Sequence, residues 1–292
     1  LAKPEQAGAY YRRAGALLAV VHMLCGNDFH GENIIVHGEY PVLVDLETIL
    51  SYKMLQFRED YEEVQHIRDA QNALDVVQES VLGMGFLPIW LKINDQRCVD
   101  FGALTGSIKS SIPSYQGEQI PVFSYQEELA DGFSQAYDFF RQNKESLMAE
   151  LQRIFDRTLL RIIIRPTQVY AKMLLHTADP QYLKDGFLYS VEIERFAPAY
   201  LLNVEADKVH KIWKLFVSEK EALEARDIPI FEGRADRVDM GSAGMILAQD
   251  YFVDSALKRV TRKIMSLHRW DKERQLDFIR QALAVYAASC HD

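Results

Sequence analysis

Asp28, His30 and Asn33 share one polar stretch, Asn27-Asp28-Phe29-His30-Gly31-Glu32-Asn33, and Asp45 and Glu47 follow it in Val44-Asp45-Leu46-Glu47. Between the two lie the apolar runs Ile34-Ile35-Val36 and Val42-Leu43-Val44, separated by a turn at Gly38-Glu39. A polar loop, a hairpin and an acidic exit, in that order, can bring all five side chains to one pocket. Phosphoryl transfer needs such a set. One carboxylate takes the proton of the attacking hydroxyl, while an amide and a second carboxylate hold Mg²⁺ against the phosphates. Taken singly, each residue also suits a turn or a helix cap. The order and spacing of the whole set carry the chemistry, and they require Asp28, Asn33 and Asp45 to converge.

To position these residues, a helix must end just before the loop and a hairpin must follow it. Tyr10, Ala14, Leu17, Leu18, Val21 and Leu24 recur at helical spacing and predict a helix over residues 7–24, ended by Gly26. Residues 34–36 and 42–44 predict the two strands, with Pro41 opening the second. In the catalytic loop of kinases an aspartate base is followed five residues later by a magnesium-binding asparagine, and a second magnesium aspartate comes further on. Asp28, Asn33 and Asp45 keep that interval and order. Asp100-Phe101-Gly102 spells a kinase-like tripeptide. No Asp-x4-Asn loop stands shortly before it, so Asp100 is expected to lie away from the pocket.

Beyond the hairpin, Ala70, Ala73, Leu74, Val77 and Val81 predict a helix over 69–82, broken by Gly83, Gly85 and Pro88. Residues 88–99 predict a strand pair, and 105–125 a long surface loop or domain seam. From about 126 onward the pattern is mostly helical, with apolar faces over 126–142, 145–164, 167–177, 206–225 and 271–288. Residues 179–203 and 232–265 carry no placeable period. Arg153, Arg157, Arg161 and Arg165 stand four apart, and on a helix over 145–164 they form a basic row opposite Leu147, Leu151, Ile154, Phe155 and Ile162. Pro166 stops that helix and suits the first turn of the next, with Thr167 at its N-terminus. Arg161, Arg165 and Thr167 then gather guanidiniums, a hydroxyl and free N–H groups into an anion site whose natural occupant is phosphate. Arg153 and Arg157 read as a solvated face.

The chain has 292 residues, 48% of them apolar, which allows one large domain or two ordinary ones. A net charge of −9 argues against general nucleic-acid binding. Cys25, Cys98 and Cys290 form no C-x-x-C pair, which suits a reducing cytoplasmic setting and supplies no zinc framework. No apolar run reaches the ~18 residues of a membrane span, and no signal peptide is recognisable. Apart from His30, the histidines show no metal-ligand spacing.

With both constellations in hand, the sequence resembles the dehydratase domain of class II lanthipeptide synthetases, the LanM-type enzymes. The matching residues are Asn27-Asp28-x-His30-x-Glu32-Asn33, Pro41-Val42-Leu43-Val44-Asp45-Leu46-Glu47-Thr48 and Arg161-x3-Arg165-Pro166-Thr167-x2-Tyr170. Further matches are Glu79-Ser80-Val81-Leu82, Leu87-Pro88 and Asp227-Ile228-Pro229-x-Phe231. The resemblance implies an α+β fold: a lipid-kinase-like C-lobe extended by a mostly helical elimination region. Residues 1–125 would form the C-lobe portion with the catalytic and metal-binding loops. Residues 126–292 would form the helical region carrying the elimination residues. It implies phosphorylation of Ser and Thr in a precursor peptide (leader plus core) with ATP, giving ADP, and Mg²⁺. Elimination of the phosphate then leaves dehydroalanine or dehydrobutyrine. Asp28 would be the base and Asn33 and Asp45 the magnesium ligands, with His30 and Glu47 completing that site. Arg161 and Thr167 would serve elimination, with Arg165 close by. The family's nucleotide-cradling N-lobe and zinc-dependent cyclase domain are not recognisable, so the chain reads as an internal fragment, expected to bind nucleotide poorly alone.

Two rivals remain from the residues. A small-molecule kinase of the aminoglycoside or choline type shares the Asp-x4-Asn loop and the acidic exit but has no need of Arg161 to Thr167. A non-catalytic, pseudokinase-like scaffold would bind peptide and use the pocket only structurally.

Overall fold

Helix α1 (Gln6–Met23) forms where the apolar period demands it, and Tyr10, Tyr11, Ala14, Leu18 and Val21 are buried along it. It belongs to a computed structural model that describes residues 1–53, 73–94, 97–106, 111–201 and 206–289. Along the chain come β1 (Ile34–His37), β2 (Tyr40–Leu43), β3 (Trp90–Asn94), β4 (Arg97–Asp100), β5 (Ser114–Tyr115) and β6 (Glu118–Gln119). Then follow α2 (Gln126–Gln142), α3 (Lys144–Phe155), β7 (Leu159–Ile162), α4 (Thr167–His176), α5 (Pro180–Leu183), α6 (Gly186–Ile193), α7 (Pro198–Leu201) and α8 (Ala206–Glu224). The chain ends with β8 (Phe231–Arg234), β9 (Met240–Ser242), β10 (Met245–Ala248), α9 (Ala256–Ser266) and α10 (Arg269–Ser289). Residues 69–72 of the predicted 69–82 helix, 107–110 of the predicted loop, and Cys290 lie outside the described residues; 73–79 are helical.

The fold comprises two compact units. One is Leu1–Ser51, Arg68–Ile154 and Leu257–Asp292; the other is Tyr52–Ile67 and Phe155–Ala256. These boundaries differ from a division at residue 125, because the second unit is inserted between α3 and α9.

In the first unit α1 and α2 cross at backbone distance. A Cβ on Gly15 would lie 1.9 Å from the Leu129 carbonyl oxygen, and one on Gly132 would lie 1.8 Å from that of Arg12. Only glycine permits this approach. Phe133 and Tyr137 of α2 are buried, and the Tyr137 hydroxyl donates to Asp271 of α10 at 2.6 Å. Gln275 of α10 accepts from Val81 N–H at 3.0 Å. The α1 terminus is a Schellman cap: Gly26 N–H reaches Val21 O (2.9 Å) and Cys25 N–H reaches His22 O (3.3 Å). The left-handed residue is Cys25 (φ 56°), not the glycine. Gly26 is needed for space, since a Cβ there would meet Phe29 at 2.9 Å.

In the second unit β10, β9, β8 and β7 form, in that order, an antiparallel sheet. Ile162, Phe231 and Met240 from it pack with Leu215 and Phe216 of α8 and with Tyr251 and Phe252. The predicted helix over 145–164 is therefore corrected. It ends at Phe155, and Leu159–Ile162 pairs with β8 in the register Leu160↔Gly233 and Ile162↔Phe231. Leu160 and Ile162 are buried on alternate positions. Consecutive isoleucines favour the strand, where branched side chains keep their preferred rotamers. The arginine row is consequently not a helical stripe. The segment 232–265, which had no placeable period, carries most of β8 and all of β9 and β10, so the chain after 126 is not uniformly helical. No helix among the described residues is long and apolar enough to cross a membrane.

Candidate active site

The Schellman cap delivers the chain into residues 27–33, and the hairpin returns it beside them. β1 and β2 pair as Ile34↔Leu43 through His37↔Tyr40, and Gly38 takes φ 57° at the turn. Arg13 of α1 holds that turn, bonding Glu39 through its carbonyl (3.0 Å) and carboxylate (2.9 Å) and lying over the Tyr40 ring. The ladder runs one step past the strands: Val44 N–H donates to Asn33 O at 3.1 Å. Asp45 thus emerges level with Asn33. At the other end Thr48 closes on Asn27, accepting its N–H through the carbonyl and donating its hydroxyl to the Asn27 carbonyl. Residues 45–47 are thereby laid alongside 28–32.

Within this enclosure each polar group has a definable orientation. The Asn33 amide nitrogen donates to Asp28 O at 2.7 Å, which leaves the amide oxygen as its free end. Asp45 Oδ1 accepts from Glu47 N–H at 3.1 Å. His30 Nδ1 accepts from Glu32 N–H at 3.2 Å, which assigns the neutral ring's proton to Nε2. That atom lies 3.7 Å from Asp28 Oδ1. The Asp28 carboxyl is held above its ordinary value, first by partial burial and then by the charges of Glu47, Asp45 and Glu32, with His30 opposing. Those three acids thus act on the Asp28 carboxyl through their charge. Asp28 itself sits at φ 63° with its side chain 55% exposed. A left-handed aspartate at a candidate site is a strained feature that its surroundings must hold.

Those surroundings press on the loop's rear. Phe29 N–H donates to Met84 O at 3.0 Å and Gly31 N–H to Phe101 O at 3.3 Å. A Cβ on Gly85 would stand 2.6 Å from Phe29 C, so glycine alone permits this backing. From α9, Arg259 bonds Ser51 (Oγ 2.6 Å, O 3.0 Å) and Glu79 (2.8 Å), and the Ser51 hydroxyl donates to Cys25 O. Lys263 donates to Glu79 O at 2.8 Å. These residues anchor the loop's base; sequence reasoning singled out Glu79 only within a family match and missed Arg259, Lys263 and Ser51. The basic i,i+4 pair Arg259 and Lys263 was the available signal, inside a segment left unplaced. Asp100 has a structural task, its Oδ1 accepting from Ile89 and Gly102 N–H, both at 2.8 Å.

Asn33 Oδ1 and the second Asp45 oxygen are hard oxygen donors of the kind that magnesium takes. Among the described residues no three His, Cys, Asp or Glu side chains are gathered as a ligand set. A kinase-type site does not depend on one, since substrate oxygens complete the shell.

Arg161, Arg165 and Thr167 belong to the second unit. Thr167 opens α4 behind Pro166, as expected, and no side chain caps that terminus. Arg161 is half-buried on β7, on the face opposite Leu160 and Ile162. Arg165 is committed to Glu219, which is 0% exposed, at 2.9 Å, and to Phe196 O at 3.3 Å. Its guanidinium lies 4.6 Å from the Phe196 ring centroid. Tyr170 completes the set by donating to Glu219 at 2.7 Å. Arg165 and Tyr170 therefore anchor the start of α4 through Glu219.

Two comparisons bear on these motifs. Over 210 residues the chain is 27% identical to a Lactococcus lactis subsp. lactis protein named as the lacticin 481/lactococcin biosynthesis protein LcnDR2. That match covers 61% of this chain and 22% of the relative. It agrees with the resemblance to a LanM-type lanthipeptide synthetase domain. The model of a family described as a domain of unknown function, DUF4135, matches residues 1–113 and 107–234. These residues contain the loop, the hairpin, the acidic exit and the Arg161–Thr167 turn, and the chain belongs to the DUF4135 family.

Proposed function

We propose that this chain acts in lanthipeptide biosynthesis as part of a peptide dehydratase, phosphorylating Ser and Thr of a precursor peptide with ATP and then eliminating the phosphate. The observation that carries this reading is the enclosure of Asp28, His30, Asn33, Asp45 and Glu47 by the Val44–Asn33 and Thr48–Asn27 contacts. The relative's name, which speaks of lacticin 481 and lactococcin biosynthesis, supports the pathway.

In the first step the Asp28 carboxylate takes the proton of the attacking hydroxyl. The raised affinity of that carboxyl for a proton suits the role. His30, whose Nε2 stands 3.7 Å from Asp28 Oδ1, would position the carboxylate. Asn33 and Asp45 would hold magnesium, which when bound neutralises charge on the transferring phosphoryl group. In the second step a general base takes the α-proton of the phosphorylated residue, the C–H electron pair forms the Cα–Cβ double bond, and the Cβ–O bond breaks with its electron pair leaving on phosphate. Arg161 and the Thr167 hydroxyl, with the uncapped α4 N–H groups, would stabilise that departing charge.

The test is mass spectrometry of a precursor peptide incubated with the full-length parent protein and ATP. Loss of water at Ser or Thr is the expected result. Added phosphate that persists would turn the reading into a kinase, and an unmodified peptide would turn it into a binding scaffold.

A further inference from the structure

Asp28, His30, Asn33, Asp45 and Glu47 all lie between Cys25 and Ser51 in the chain. The Ser51 hydroxyl donates to Cys25 O at 2.6 Å and closes that span. One rung further in, Thr48 ties Asn27. Two non-glycine residues bracket this second rung in the left-handed region, Cys25 at φ 56° and Asp28 at φ 63°. Such backbone persists only where its surroundings hold it. Much of that task falls to Arg259. Its Nη1 donates to Ser51 Oγ at 2.6 Å and to Ser51 O at 3.0 Å, and its Nη2 donates to Glu79 Oε1 at 2.8 Å. Ser51 Oγ accepts from the guanidinium, so its own hydrogen is directed to Cys25 O. Glu79 is in turn fixed to the frame. Lys263 Nζ donates to its carbonyl at 2.8 Å, and two residues on, Val81 N–H donates to Gln275 Oε1 at 3.0 Å. The Arg259 side chain is 16% exposed, so salt screens its bonds only weakly.

We propose, resting on the phosphorylation reading of this loop, that Arg259 is a positioning residue for phosphoryl transfer. It acts through Ser51 on the Cys25–Ser51 closure, which sets the Asp28 loop against the Asp45 exit. Arg259 itself touches no substrate. Its planar fork serves Ser51 and Glu79 from separate nitrogens, and a lysine would keep the charge without that fork. Arg161 and Thr167 belong to the other compact unit, so the closure bears on the first step and not on elimination.

Two measurements test this. Amide hydrogen exchange of the chain itself, read by mass spectrometry on the peptide covering residues 26–33, needs no activity. Ser51→Ala removes the hydroxyl tie, and Asn27 N–H, which donates to Thr48 O at 3.2 Å, should exchange roughly tenfold faster, the scale of one hydrogen bond lost. Ser51→Thr restores the hydroxyl and should restore protection. The second measurement is the phosphorylation rate of the full-length parent. Arg259→Lys and Ser51→Ala should each lower kcat by ~10²-fold, the scale of a small misplacement of reacting groups, with KM unchanged. Ser51→Thr should recover kcat, and all three variants should release phosphate from a synthetic phosphopeptide at the normal rate. Unchanged exchange in Ser51→Ala, or normal kcat in Arg259→Lys and Ser51→Ala, would overturn the proposal. So would elimination lost in parallel with phosphorylation, the mark of a general loss of fold. An unmodified peptide from the unaltered parent would instead defeat the phosphorylation reading, while exchange still decides whether Ser51 holds the loop.

Discussion

Asp28 is asked to be both a base and a left-handed residue, and these demands can be separated. Asparagine tolerates φ 63° at least as well as aspartate but cannot take a proton. Asp28→Asn in the full-length parent should therefore lose phosphorylation by ~10²–10⁴-fold while the melting temperature stays unchanged. A fall in stability with activity retained would remove Asp28 from the chemistry. His22 makes the opposite case, a titratable residue with a purely structural signature. It is 1% exposed in α1, and both ring nitrogens lack partners. Burial, then Lys263, keep its affinity for a proton well below the usual 6.5, with Asp271 opposing and Arg274 adding to the effect. The folded state thus holds His22 neutral where the unfolded chain is protonated. Stability from this group is complete above about pH 6.5 and declines as pH falls below it, by at most ~1.4 kcal/mol per pH unit. Asp271, held below its ordinary value of 3.8, acts only at lower pH. His22→Leu should flatten the denaturation-midpoint profile between about pH 6.5 and 5. An unchanged slope there would refute the assignment.

At the scale of elements, α1, α2, α8 and α10 were legible because one face of each is buried and the apolar period records it, and the β1–β2 hairpin because two short apolar runs flank the Gly38 turn although its strands are largely exposed. The strand β7 was hidden by four-residue arginine spacing, which imitates a helix although alternate burial of Leu160 and Ile162 decides the backbone. The sheet partners β8–β10 were illegible for a related reason: Gly233, Gly241 and Gly244 interrupt any period. The candidate site's polar residues were proposed from type and spacing. The pairing of Arg259 with Glu79 that supports it was not, because 180 residues of sequence separate an ion pair that only the fold closes. Glycine at the α1–α2 crossing is likewise a contact invisible in sequence. Gly132→Ala drives a Cβ to 1.8 Å from the Arg12 carbonyl oxygen, and no side chain can move to relieve a backbone clash. A loss of at least about 3 kcal/mol in denaturant unfolding is expected. Gly186→Ala, where a Cβ meets nothing within 4 Å, should stay within about 0.5 kcal/mol and serves as the control.

At the scale of the molecule, the two constellations fall in different compact units, Asp28 to Glu47 in the first and Arg161 to Thr167 in the second. The second unit's main segment, Phe155–Ala256, interrupts the first. A split at residue 125 could not anticipate this, because the insertion begins where α3 runs out in an apparently continuous basic row. The arrangement suggests a division of labour that kinetics can read. Phosphorylation needs the hydroxyl's proton removed and the phosphoryl charge held, and Asp28 and Asp45 are the residues proposed for those tasks. Elimination starts from the phosphopeptide and asks for neither. Its barrier lies in losing the α-proton and releasing phosphate, which a cation and a hydroxyl lower by holding the departing charge. In the full-length parent, Asp28→Ala or Asp45→Ala should leave the peptide unmodified. Arg161→Ala or Thr167→Ala should phosphorylate it and stop, each stalled site carrying about 80 Da of added phosphate. Loss of one anion donor commonly slows a step by ~10²–10³-fold, enough for the intermediate to accumulate in a mass spectrum. A synthetic phosphopeptide supplied to the Asp28→Ala variant should still lose phosphate. Complete dehydration at the normal rate by the Arg161 and Thr167 variants, or unmodified peptide from both, would remove these residues from the elimination step.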